Sequence, residues 1–115
     1  SAIEAAVSTH PAVLLTTGGT GIHPQDRTPE ATRAVVDQEL PGIAEAIRSA
    51  GRASTPTAAL SRAVAGVAGG TIVVNLPGSP GGVRDGLSAL DPIVDHAVAV
   101  LRGPVDHDSA PASRV

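Results

Sequence analysis

An α/β fold is what this 115-residue sequence predicts, and three observations predict it. Two short apolar runs, residues 12–16 and 71–75, have the length and composition of buried strands. Each breaks into a glycine-rich segment, Gly18-Gly19-Thr20-Gly21 after the first and Leu76-Pro77-Gly78-Ser79-Pro80-Gly81-Gly82 after the second. Behind each lies a stretch with helix-start residues and apolar positions at helical spacing. In such an order ligands bind outside the carboxyl ends of the strands, where both glycine-rich segments fall.

The elements follow in sequence. Residues 1–8 favour helix through Ile3, Glu4, Ala5, Ala6 and Val7 but are too few for a full one, so they read as the last turns of a longer helix whose start is cut away. Pro11 and Gly18-Gly19 bound the first strand, and residues 18–27 read as loop. Thr28-Pro29-Glu30 then supplies an N-cap, a proline at the first helical position and an acid near the positive end of the helix dipole. A helix over 29–39 is expected, interrupted by Leu40-Pro41-Gly42. A second helix, with Ile43, Ala44, Ala46, Ile47 and Ala50 on one side and Glu45 and Arg48 on the other, is expected to end at Gly51. Residues 57–63 suit a short helix, 64–67 a weak strand and Gly69-Gly70 a turn. The β-branched Ile72, Val73 and Val74 mark the strand over 71–75. A helix over 82–90 comes next, then a separate one capped by Asp91-Pro92, whose Ile93, Val94, Ala97, Val98 and Leu101 keep one face apolar up to Gly103. Residues 104–115 read as a disordered tail, leaving one domain over 1–103.

Composition removes whole classes of function. Cysteine is absent, which excludes disulfides, thiolate catalysis and zinc-thiolate sites. Phe, Tyr, Trp and Met are absent too, so Val, Leu, Ile and Ala must fill the core, and base-stacking platforms and aromatic cages are ruled out. The net charge of -3, with eight scattered basic residues that are all Arg, gives no footprint for nucleic acid. No apolar run spans a membrane and no secretory n-region and h-region opens the chain, so a cytoplasmic home is expected.

The chemistry sits in the two loops. Gly18-Gly19-Thr20-Gly21 can turn several backbone N–H groups toward one anion. It is no Walker A loop, because the chain has no lysine, and its glycine spacing is not the dinucleotide fingerprint. An ordinary left-handed turn between strand and helix would use the same residues. Asp26, just ahead of a helix start, offers a hard oxygen ligand that could hold Mg²⁺ against bound phosphates. A solvated acid, or a partner for Arg27, is its other reading. Asn75, Ser79 and the backbones of Pro77-Gly78 and Gly81-Gly82 form a second wall, or else a proline-rich turn in which Ser79 caps the next helix. Arg84 and Asp85 read as a surface charge pair, and Thr28 as a cap. His23 lies three residues before Asp26, where a metal or general-base role competes with simple solvation; His10, His96 and His107 have no partner at ligand spacing. No Ser-His-Asp arrangement can be assembled.

Taken together, Thr16-Thr17-Gly18-Gly19-Thr20-Gly21, Asp26-Arg27-Thr28-Pro29-Glu30-Ala31, Pro41-Gly42, Leu60-Ser61-Arg62 and Asn75-Leu76-Pro77-Gly78-Ser79-Pro80 resemble the MogA/MoaB-type molybdopterin-binding family of molybdenum cofactor biosynthesis. The resemblance implies a three-layer α/β sandwich with a mostly parallel sheet flanked by helices, usually a homotrimer. It also implies a molybdopterin adenylyltransferase: the terminal phosphate of molybdopterin attacks the α-phosphate of ATP, Mg²⁺ offsets charge, and pyrophosphate leaves. Carried over, Thr17, Gly18, Gly19, Thr20 and Gly21 bind phosphate, Asp26 acts as catalytic residue and metal ligand at the Mg²⁺–nucleotide site, and Asn75, Pro77, Gly78, Ser79 and Pro80 border the pterin pocket. Such chemistry asks mainly for positioning and charge stabilisation, which loops and one metal can supply.

Members of that family begin with further strand and helix segments that carry part of the sheet, part of the nucleotide pocket and a second acidic residue. This chain opens at what resembles the helix before the first strand, so a domain without its N-terminal strands is expected, marginal unless other chains cover its apolar edges. The alternatives are the MoaB-like branch, or the related domain of larger molybdenum-insertion and competence-associated proteins, and a non-catalytic molybdopterin-binding or trimeric scaffold subunit. The Thr-Gly-Gly-Thr-Gly and Asp-Arg-Thr-Pro-Glu pair looks closer to the adenylyltransferase.

Overall fold

The computed structural model describes residues 1–103; the tail expected over 104–115 lies outside them. The chain runs α1 (Ala2–Val7), β1 (Val13–Thr17), α2 (Thr28–Arg33), β2 (Gln38–Glu39), α3 (Pro41–Ser54), a 3₁₀ turn (Pro56–Leu60), β3 (Ala65–Ala68), β4 (Thr71–Leu76) and α4 (Pro80–Arg102). Helix α1 is a short piece held by a capping box, in which the Ser1 hydroxyl accepts from the Glu4 N–H and the Glu4 carboxylate reaches back to the terminal amine.

The four strands form one sheet in the order β1-β4-β3-β2. Strands β1 and β4 are parallel, with Val13 opposite Ile72 and Thr17 opposite Leu76. The β3–β4 hairpin is antiparallel and closes through Gly69-Gly70, whose φ of 55° and 85° are those of a two-residue primed turn. β2 adds to β3, also antiparallel. The class is α/β, as the sequence predicts, and among the described residues the sheet is mixed.

Every residue of β4 is buried, because it is a central strand covered on both faces. On one face Ile72, Val74, Leu76 and Ala65 pack with Ile43, Ala44 and Ile47 of α3 and Leu90 of α4. On the other, Pro29 and Thr32 of α2 are buried. Burying each branched aliphatic side chain contributes roughly 1.5–3 kcal/mol, so an aromatic-free core still holds three layers together. No helix among the described residues is long and apolar enough to cross a membrane.

Three expected elements differ. The helix over 29–39 stops at Arg33, because the Asp37 N–H donates to the Val67 carbonyl (2.7 Å) and the Leu40 N–H to the Ala65 carbonyl (2.8 Å), drawing Gln38–Glu39 out as an edge strand. Helix α3 does not end at Gly51 but continues to Ser54; a side chain at Gly51 would press on Ala58, so the glycine lets the 3₁₀ turn fold back against the helix. Residues 80–102 form one helix rather than two: Pro92 lies inside it, and Asp91 caps nothing. Proline forfeits a hydrogen bond there, but Leu90, Ile93, Val94, Ala97 and Val98 hold the helix to the core on both sides of it.

Candidate functional site

Because β1 and β4 are parallel neighbours in register, their carboxyl ends emerge side by side, and both glycine-rich segments start from the same sheet edge. The Gly18 N–H donates to the Leu76 carbonyl at 3.0 Å. The backbones of Gly18 and Gly78 then pass so closely that a Cβ on Gly78 would lie 3.2 Å from the Gly18 Cα. The two loops therefore touch at the carboxyl ends of neighbouring strands, although each lines a hollow of its own.

The first loop needs its glycines. Gly18 and Gly19 have φ of 84° and 69°, a left-handed pair that glycine adopts without strain, and within it the Gly18 N–H is already engaged by the Leu76 carbonyl. The Gly19 carbonyl accepts from the Thr28 N–H at 3.1 Å, closing the loop onto the start of α2. Thr17 is exposed at the end of β1, whereas Thr20 is buried beneath the turn. Thr28 caps nothing through its side chain; Arg27 holds the N-cap position without a side-chain hydrogen bond.

Asp26 folds back on the loop. Its Oδ2 accepts from the His23 N–H at 3.2 Å and lies against the Gly21 Cα, where a Cβ would stand 2.8 Å away. Half-buried, it forms no ion pair with Arg27. His23 is exposed, and its Nδ1 accepts from the Gln25 N–H at 3.1 Å. No group of three or more His, Asp or Glu side chains that could hold a metal exists among the described residues. A single half-buried carboxylate fits Mg²⁺ delivered with phosphate oxygens, the usual way that ion is held, and does not fit a dedicated protein cage.

Asn75 lies under both loops, fully buried. Its Oδ1 accepts from the Val64 N–H (3.0 Å), while Nδ2 donates to the hydroxyls of Thr16 and Thr32 (2.9 Å each). The amide is thus fully occupied in tying β1, β4, α2 and the lead into β3 together. Ser79 caps α4, its Oγ accepting from the Gly82 N–H at 3.0 Å. Gly78, Ser79 and Pro80 are exposed and Pro77 half-buried.

A cleft of about 490 Å³ opens beside this second loop, walled by α3, the 3₁₀ turn and the start of α4. Arg48, Ser61, Pro77, Ser79, Arg84 and Asp85 lie along it. Arg84 and Asp85 do not form the surface ion pair their adjacency suggested; both face this cleft. Its size suits a small heterocyclic ligand, and the positive end of a 23-residue helix suits an anionic one, while the Arg48 guanidinium is engaged by Glu45 and by the Ser61 and Ala63 carbonyls. A smaller hollow of about 360 Å³ on the opposite face is lined by Gly19, Thr16, Arg27 and Thr28 with the start of α1.

Sequence reasoning gave Arg62 no role. Its N–H donates to the Thr20 carbonyl (2.7 Å), Nε to the Gly21 carbonyl (2.8 Å), Nη2 to the Asp26 carbonyl (2.7 Å) and Nη1 to Glu30 (2.6 Å). Those partners lie 32 to 41 residues away for the side chain, so the only hint in the sequence is its place in the Leu60-Ser61-Arg62 segment.

Residues 1–96 match the family model described as a probable molybdopterin binding domain. The chain is 45% identical over 107 residues to the molybdenum cofactor biosynthesis bifunctional protein of Synechococcus elongatus, covering 93% of this chain and 33% of that one. It is 41% identical over 91 residues to the molybdopterin adenylyltransferase of Helicobacter pylori strain J99, covering 79% of this chain and 52% of that one. It therefore spans about half or less of these relatives. Among solved structures, the molybdopterin biosynthesis Mog protein from Mycobacterium ulcerans superposes with a TM-score of 0.85 at 55% identity, over 87% of this chain and 66% of that one. The molybdopterin biosynthesis enzyme MoaB from Thermus thermophilus does so with a TM-score of 0.78 at 52% identity, over 86% and 62%. With the family match over residues 1–96, the sequence identities and the superpositions in agreement, this chain belongs to the molybdopterin-binding domain family of molybdenum cofactor biosynthesis.

Proposed function

We propose that this chain carries the phosphate-handling half of a molybdopterin adenylyltransferase, which transfers AMP from ATP to the terminal phosphate of molybdopterin. The contact of the two loops at one sheet edge, with the Gly18 N–H on the Leu76 carbonyl at 3.0 Å, carries the reading. One loop offers backbone N–H groups for phosphate oxygens; the other borders a cleft of ligand size. A phosphate oxygen of molybdopterin forms a bond to the α-phosphorus of ATP, the α–β anhydride bond breaks, and pyrophosphate leaves. Such a transfer needs alignment and charge stabilisation more than a protein nucleophile.

In this scheme Thr17, Gly18, Gly19, Thr20 and Gly21 grip phosphate, and Pro77, Gly78, Ser79 and Pro80 border the pterin. Asn75 acts from beneath, tying β1, α2 and the lead into β3 to β4 below the loops through its three hydrogen bonds. Asp26 supplies the carboxylate toward magnesium. The ion, when bound with the nucleotide, spreads the negative charge that builds on the reacting phosphates. A homotrimer in the cytoplasm completes the proposal.

Incubation with molybdopterin, ATP and Mg²⁺ tests it by pyrophosphate release and adenylylated product. Wild type is expected to turn over, and Asp26→Ala to lose at least about 100-fold in kcat while keeping molybdopterin affinity. Binding without any turnover by wild type would replace this reading with that of a non-catalytic molybdopterin-binding subunit.

A further inference from the structure

The segment between Gly21 and Asp26 has little of its own to hold it. Ile22 is 67% exposed, and His23, Pro24 and Gln25 are exposed as well. Within it the His23 N–H bonds to the Asp26 carboxylate and the Asp26 N–H to the His23 carbonyl (2.8 Å), both local contacts. What fixes its two ends is a residue distant in the chain. The Arg62 guanidinium donates to the carbonyl of Gly21 at 2.8 Å and to that of Asp26 at 2.7 Å, pinching the excursion shut at its base. Glu30 takes the remaining arm at 2.6 Å and fixes the plane of the fork, while the Arg62 N–H holds the Thr20 carbonyl at 2.7 Å.

We infer that Arg62 is a positioning residue for the reaction: its planar fork sets where the Asp26 carboxylate stands relative to the phosphate-gripping backbone of Gly18–Gly21, with Glu30 orienting the fork. The inference deepens the adenylyltransferase reading and rests on it for its chemical meaning. The residue touches no reacting atom in this scheme; it acts through the Asp26 main chain, one residue's reach from the carboxylate. Ser61, its neighbour, lines the cleft beside the second loop, so the same short segment meets both parts of the site. Three separate acceptors, one for each nitrogen, match a guanidinium and not an ammonium, which brings a point charge without the fork.

Arg62→Lys is the first test, read two ways. In amide hydrogen exchange the His23 and Asp26 N–H groups are expected to exchange at least tenfold faster than in wild type, with β4 amides and the urea midpoint unchanged. In turnover, kcat is expected to fall at least tenfold with KM for molybdopterin within twofold. Glu30→Gln, at an exposed position, serves if Arg62→Lys does not fold, and is expected to speed exchange of the same two amides by a smaller factor. Unchanged exchange in the folded variant, or exchange raised equally throughout the chain, overturns the inference. So does an unaltered kcat in an enzyme whose wild type turns over. A wild type that binds molybdopterin but releases no pyrophosphate defeats the adenylyltransferase reading instead, and the exchange data still decide whether Arg62 sets the loop.

Discussion

A methyl group at Gly19 has nowhere to go. It would meet the Thr28 side chain, and the backbone φ of 69° already disfavours any residue with a Cβ. Gly19→Ala is expected to cost about 1–2 kcal/mol from the left-handed conformation alone, with more for the displaced Thr28, seen as a lower urea midpoint. Asn75 makes the complementary case, since its amide is completely engaged in the interior. Asn75→Ala leaves the Val64 N–H without its partner, and the expected loss is about 2–4 kcal/mol by chemical denaturation. Glu30 carries a pH dependence. Its hydrogen bond from Arg62, its own backbone amide, and the charges of Arg62 and Arg27 hold its carboxyl below the usual carboxylate range despite slight desolvation. The unfolded chain has the ordinary value, so this contribution is fully present above that value and disappears as pH falls through the lowered one. Loop amide protection over residues 21–26 is therefore expected to stay level from pH 7 down to the ordinary Glu value of about 4.3 and to decline below it, an acid response that Glu30→Gln reduces.

Among the elements, α4 shows how far tertiary packing overrides a local stop signal. Pro92 interrupts its hydrogen bonding, yet the helix runs unbroken from Pro80 to Arg102 because its apolar face is docked on α3 and the sheet. Pro92→Ala, far from both loops in sequence, is expected to raise stability by about 1–3 kcal/mol with catalysis unaltered, measured by thermal unfolding and pyrophosphate release. The same contrast explains what sequence reading reached. β4 was legible because Ile72, Val73 and Val74 state their preference locally and Gly69-Gly70 ends the hairpin. β2 was not, because Gln38 and Glu39 have no strand character and are extended only by partners near residue 66. The end of α3 was misread since Gly51 serves contact with Ala58, a reason visible only in three dimensions. In the site, the two loops at neighbouring strand ends were legible from turn chemistry, whereas the separate hollows they line depend on α1 and α3, which lie outside either loop. Arg62 was not, because one arginine among eight looks alike until its carbonyl acceptors are known.

At the scale of the whole molecule, the two poles of the sheet do different work. The carboxyl ends of β1 and β4 present the loops, and α4 starts there at Ser79. It finishes at the other pole, where the Arg102 guanidinium donates to the carbonyls of Gly70 (2.8 Å), His10 (3.1 Å) and Pro11 (2.8 Å), just before β4 and β1 begin. That knot anchors the exit of the helix to the entrances of the strands. Gly103, where α4 ends, consequently lies at the end of the sheet opposite the two loops, with the length of the helix between the chain's exit and the ligand-facing front.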